Sequence, residues 1–243
     1  MALAHLPHPA LPTYASPPAL LKARGLRDYL ERVRRGVEAA FGPGGWPRVT
    51  LYVLAEPDWR ERLPLPYGYP AARVRGEPAV YAPRDVPERL RFRLLGALTE
   101  AGVPPPGPVE ELVDLASGHE YAHALAAGRG LLAGARWADE LLANGLWTAA
   151  LAEADPEALE RATAWAGALA ALPLAHPRPV GWSEALALTG RALAVCLEEP
   201  EPCRRVLARA LRQRPRPAEL RAMLGPWRRY TRPEGSRETP SNG

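Results

Sequence analysis

The sequence predicts an α+β fold, with a small antiparallel sheet followed by a mostly helical C-terminal half. Three observations carry this expectation. β-Branched and turn-rich segments are confined to the chain before about residue 84, and from about residue 85 the apolar residues recur only at helical spacing. No internal repeat offers a repeat architecture instead.

The elements follow in order. Residues 1–18 are proline-rich and lack periodicity, so they are expected to form an extended arm packed on or hanging from the body. A helix over about 19–41 spaces Leu26, Leu30, Val33 and Val37 on one face and ends at "FGPGGWP". "RVTLYVLA" (48–55) reads as a strand, and the stretch around "LPLPYGYP" as irregular. "AARVRG" and "PAVYAP" flank Gly76-Glu77 as two short strands of a hairpin. Asp85 is the expected N-cap of the next helix, which "VPPPGP" stops. Further helices are expected over about 108–127 and from Arg136 to just before Asp155. Asp155 then caps a helix that has Pro156 at its first position. Ser183 opens a helix to about 198, shorter basic helices run to about 224, and "RPEGSRETPSNG" reads as a disordered tail. The organisation is thus an arm (1–18), a body (19–155), a helical part packed on it (156–224) and a tail (225–243).

At 243 residues, 47% hydrophobic and 24% charged, the chain has the composition of a soluble globular protein. No apolar run approaches the roughly 20 residues that span a bilayer, so no membrane partner is expected. The proline-broken N-terminus has no basic flank before its apolar residues, which points to the cytoplasm rather than to secretion. Cys196 and Cys203 are too few for a cysteine zinc site and read as free, buried thiols. The net charge of +4 hides an uneven distribution. Residues 203–232 hold ten arginines and one acidic residue, Glu219, leaving 21 basic against 26 acidic residues elsewhere. Such a segment could contact phosphates, but it carries no nucleic-acid motif. The expectation is that it packs on the acidic body.

The chemistry concentrates in "SGHEYAHAL", residues 117–125. His119 and His123 lie four apart, one helical turn, so both imidazoles can reach one ion at roughly 2.0–2.1 Å. Glu120 is rotated about 100° from His119 and can stand beside the metal to take a proton from water. A catalytic zinc site needs a third protein ligand. The next histidine is distant His176, whereas "WADELLANGLW" offers Glu140. Gly128, Gly130 and Gly134 allow the reversal that would pack its helix antiparallel to the first.

"HEYAH" followed by "WADELLA" resembles the gluzincin metallopeptidases, in which HExxH is followed by a glutamate on the next helix. Trp137, Glu140 and Ala143 match the W-x-x-E-x-x-A context of the aminopeptidase branch. The resemblance covers about residues 79–150. It implies a zincin-like domain, zinc held by His119, His123 and Glu140, Glu120 as general base, and a peptide or protein substrate. The substrate would lie along an edge strand whose counterpart is Ala79, Val80, Tyr81 and Ala82. Asn144, one turn after Glu140, stands where some gluzincins hydrogen-bond a ligand histidine. The chain departs from the family in three ways. The His-to-Glu interval is short, which demands a tight turn. The G-x-M-E-N sequence that grips a free N-terminus is missing, which argues against an aminopeptidase. No histidine matches the family's transition-state stabiliser, leaving Tyr230 and Tyr81 for that role. Two functions stay open: a zinc peptidase, or a catalytically inactive metal-binding protein serving as an interaction or scaffold module.

Overall fold

The computed structural model describes residues 2–173 and 182–231. It is α+β, as expected, with the sheet in the N-terminal third and helices thereafter. Among the described residues the sheet has five strands: β1 (Ala4–Leu6), β2 (Thr13–Ala15), β3 (Thr50–Leu54), β4 (Ala71–Arg73) and β5 (Ala79–Pro83), in the spatial order β1-β2-β3-β5-β4. The sheet is mixed rather than antiparallel. β2–β3 and β3–β5 pair in parallel; β1–β2 and β4–β5 are antiparallel. The cause lies in the connections, because parallel neighbours need a crossover. α1 (Leu20–Phe41) carries the chain from β2 to β3.

The N-terminal arm is extended and packed on the body, where β1 and β2 join the sheet as strands. The amide of Leu51 donates to the carbonyl of Pro12 (2.9 Å), and that of Ser16 to Val53 (3.0 Å). Three-residue strands between prolines show no readable alternation. Proline, lacking a donor, sits tolerably at the ends of such strands. The "irregular" stretch also opens with a short helix, α2 (Glu56–Arg62). It buries Trp59 completely, and the Trp59 indole donates to the Leu65 carbonyl (2.8 Å).

The hairpin expected around Gly76 forms, with Ala72 opposite Val80 and Gly76 at φ 71°. Its two strands, however, hold the reverse of the expected places. β5, containing Ala79, Val80, Tyr81 and Ala82, is buried throughout and paired on both sides, so it is no edge strand. Its backbone groups are spent within the sheet. The edge is β4. Asp85 caps no helix either: α3 (Glu88–Glu100) begins after Pro87, and the Asp85 carboxylate is held by the Tyr67 hydroxyl and Arg84.

The remaining helices are α4 (Val109–Gly128), α5 (Arg136–Ala154), α6 (Pro156–Ala170), α7 (Trp182–Glu198), α8 (Pro200–Gln213) and α9 (Pro217–Leu224). A 3-10 turn over Gly225–Thr231 follows, so the first part of the expected tail is ordered; 232–243 lie outside the described residues. α4 and α1 cover one face of the sheet, meeting Val80 and Ala82 in the main core. α5 runs through the middle of the helical half, with α1, α4, α7 and α8 packed around it. At Gly36 the backbones of α1 and α5 come so close that a Cβ would lie 2.0 Å from the Ala150 carbonyl oxygen. Asp155 accepts from the Ala158 amide (3.1 Å) and from Arg32 (2.8 Å), tying the start of α6 to α1. The arginine-rich segment packs on the body: Arg204 pairs with Glu153 at 2.9 Å, Arg221 donates to the Ala133 carbonyl, and Arg228 lies over Trp137. Both cysteines are free and buried. Among the described residues, no helix is long and apolar enough to cross a membrane.

Candidate metal centre

The centre is built on the α4–α5 hairpin. Alanines and Gly118 let α4 sink between the sheet and α5, so His119 is buried while His123, one turn on, borders a cleft. The turn between the helices uses Gly130 (φ 75°) and Gly134 (φ 66°), where a side chain would be strained. Asp139 locks it by accepting from the Ala133 amide (2.7 Å). This reversal carries Glu140 back over the two histidines.

His119 Nε2 lies 3.1 Å from His123 Nε2 and 3.2 Å from a Glu140 oxygen; His123 Nε2 is 3.8 Å from the other. Three ligands about 2.0–2.1 Å from one tetrahedral ion stand roughly 3.3 Å apart. All three donor atoms lie within 4.8 Å of one another, and the trio is the cluster of its kind among the described residues. This buried His-His-Glu group can hold a metal ion.

The surrounding bonds orient the donors. The Asn144 amide donates to the Thr189 carbonyl (3.3 Å), which turns its own oxygen toward His119 Nδ1 at 3.0 Å. On that network His119 carries a proton on Nδ1, leaving the Nε2 lone pair for a metal. The Thr189 hydroxyl donates to Glu140 (2.9 Å), so α7 braces one ligand through its side chain and the bracing amide through its backbone. Behind His119, the Trp147 indole donates to the Tyr29 hydroxyl (2.9 Å), which donates to the Leu115 carbonyl (3.3 Å).

Electrostatics follow from burial. Burial raises the Glu140 carboxyl, but bonding to His119 outweighs it and the net position is well below the usual range. His119 moves the opposite way: burial opposes its charge, Glu140 favours it, and the net shift is upward. Burial and the neighbouring His119 push His123 down to about 4. Glu120 is pushed up to about 7 by burial, reinforced by Glu140 and opposed by His119 and by a hydrogen bond from the Ala72 amide. A carboxyl at about 7 is suited to exchanging protons near neutrality.

The cleft before these residues measures about 780 Å³ and is lined by β4, α3, α7 and the tyrosine-proline stretch before β4. Tyr69 lines the same cleft; burial, then Glu120 and Glu140, keep its hydroxyl protonated. Sequence reasoning missed it because "LPLPYGYP" shows no periodicity. Thr189, 49 residues beyond Glu140, had no local signal at all. Arg136, at 3.9 Å from Glu140, could have been read from its i,i+4 spacing. The two tyrosines that the sequence suggests are elsewhere. Tyr81 points to the opposite face of the sheet, stacked on Tyr52 at 4.9 Å, because neighbouring residues of a strand alternate faces. Tyr230 sits in the final 3-10 turn beside Arg229 and does not line the cleft. Comparison with protein-family models, curated proteins and solved structures found no match, so the reading of this site rests on its own geometry.

Proposed function

We propose that the chain is a zinc-dependent peptidase of gluzincin type. The observation that carries this reading is the His119–His123–Glu140 cluster opening on a cleft beside a carboxyl, Glu120, that bonds none of the three. Two nitrogens and one carboxylate oxygen suit zinc among common divalent ions. When bound, zinc supplies Lewis acidity and lowers the pKa of its water toward about 7.

The chain's own residues then have distinct tasks. Glu120 accepts a proton from the attacking water and returns it to the leaving amine. The Tyr69 hydroxyl donates to the oxygen that gains charge in the transition state. Asn144 and Thr189 keep His119 and Glu140 in place. An extended peptide adds along β4 rather than β5, since β4 is an edge strand of the sheet and lines the cleft.

The test is metal content and hydrolysis of a peptide pool by the wild type beside His123→Ala, Glu140→Ala and Glu120→Gln. One zinc per chain, lost in the first two variants, with turnover lost but zinc kept in the third, is expected. Zinc retained by a wild type that cleaves no peptide would instead favour the inactive metal-binding module. Loss of zinc in Glu120→Gln would rule Glu120 out as a general base that stands clear of the metal.

A further inference from the structure

Of the arginines on α3, Arg91 is neutralised by Glu110, but Arg89 and Arg93 flank it differently. Both line the cleft, both are exposed, and neither makes a salt bridge among the described residues. They are four apart, so they stand one above the other about 6 Å along the helix axis. Like charges at this spacing repel unless an anion lies between them. The two carboxylates that line the cleft are engaged elsewhere. Glu140 is bonded to His119 and Thr189, and Glu120 takes the Ala72 amide. Arg136 also lines the cleft but already lies 3.9 Å from Glu140, so Arg89 and Arg93 are the lining arginines without a salt bridge among the described residues. Between the charged groups the walls are apolar: Leu65, which is 47% exposed, Tyr67, Leu90 and Leu186. An uncharged extended peptide would leave this pair of guanidinium groups unmatched.

We infer that Arg89 and Arg93 form a carboxylate-binding subsite, making the cleft selective for peptides that present a carboxylate beside apolar side chains. This rests on the peptidase reading and names its substrate class. Guanidinium groups bind carboxylates through paired, charge-assisted hydrogen bonds. The carboxylate can come from an aspartate or glutamate side chain or from the peptide's C-terminus.

The experiment uses the full chain, zinc-loaded, with Glu120→Gln introduced so that bound peptide is not consumed. Fluorescence anisotropy compares labelled peptides identical except for Glu against Gln, each with a free and an amidated C-terminus. The carboxylate-bearing peptide is expected to bind about ten-fold tighter than its neutral match, the ratio that two modest charge-assisted contacts produce. The ratio should fall toward one in Arg89→Gln/Arg93→Gln and in high salt, and persist in Arg24→Gln, an exposed arginine on α1. Whether it follows the side chain or the terminus identifies the source. Equal binding of all four peptides, or a ratio unchanged in the double variant, overturns the inference. If peptides bind and the wild type cleaves them without such preference, only this inference fails. If no peptide is bound or cleaved, the peptidase reading fails with it.

Discussion

Gly118 precedes His119, and the structure predicts the sign of its replacement by alanine against the usual rule. In a helix interior, Gly→Ala ordinarily stabilises by about 1 kcal/mol. At this position a Cβ would lie 2.4 Å from the Tyr29 hydroxyl and 2.6 Å from the Trp147 indole nitrogen. Neither atom can retreat cheaply, because the two are hydrogen-bonded to each other inside the core and Tyr29 also holds the Leu115 carbonyl. Overpacking of this kind costs about 1–3 kcal/mol, and breaking one buried bond adds roughly 1 kcal/mol more. Setting the propensity gain against these costs leaves Gly118→Ala destabilised by about 2 kcal/mol. For a chain of this size that lowers Tm by roughly 4–8 °C, readable by calorimetry on the metal-free protein. Tyr29→Phe removes the nearest atom, so the double variant should lose less than the sum of the singles, by on the order of 1 kcal/mol. A Tm for Gly118→Ala equal to or above that of the wild type would refute the reasoning, since propensity alone would then have decided.

Asn144→Ala should weaken zinc binding by about 10–100-fold, the usual cost of losing the group that orients a ligand histidine; chelator competition measures it, and Asn144→Asp should bind more tightly than Asn144→Ala. Tyr69→Phe should keep zinc but reduce kcat by about 100-fold with KM little changed, as when one oxyanion donor is removed; an unchanged kcat excludes the phenol from catalysis. Asp155→Ala should cost about 1–2 kcal/mol at pH 7, from the lost helix cap and the part-buried, partly screened pairing with Arg32. Burial raises the Asp155 carboxyl, but Arg32 and the Ala158 amide outweigh it and hold it below its ordinary value. Its contribution is therefore full above the unfolded pKa of about 4 and is lost as pH falls through the lower folded value. Urea titrations of both proteins should show the difference shrinking only in that acidic window.

The candidate site was largely legible because most of it is encoded at short range. A spacing of four places His119 beside His123, and again Asn144 beside Glu140, whatever the rest of the chain does. The glycines between α4 and α5 announce the reversal that joins the two pairs. Thr189 and Tyr69 were invisible because their positions depend on where α7 and the segment before β4 dock, which no local period records. The exchange of β4 and β5 had a readable cause: "PAVYAP" is apolar at nearly every position, the pattern of a strand covered on both faces, whereas "AARV" is short and polar enough for an edge. At the N-terminus, prolines hid two strands: β2, whose place is fixed by pairing with distant β3, and β1, which pairs with β2.

The three donor residues fall within residues 119–140, on two helices joined by one short turn. Their convergence is therefore a contact of low sequence separation, with little loop-closure entropy to overcome. The α4–α5 hairpin can assemble its ligand set as the chain is made, before α7 has emerged to brace it through Thr189. An ion captured at that stage would select the native crossing of the two helices by mass action. Metal supply during synthesis would then set how much of the chain reaches that crossing.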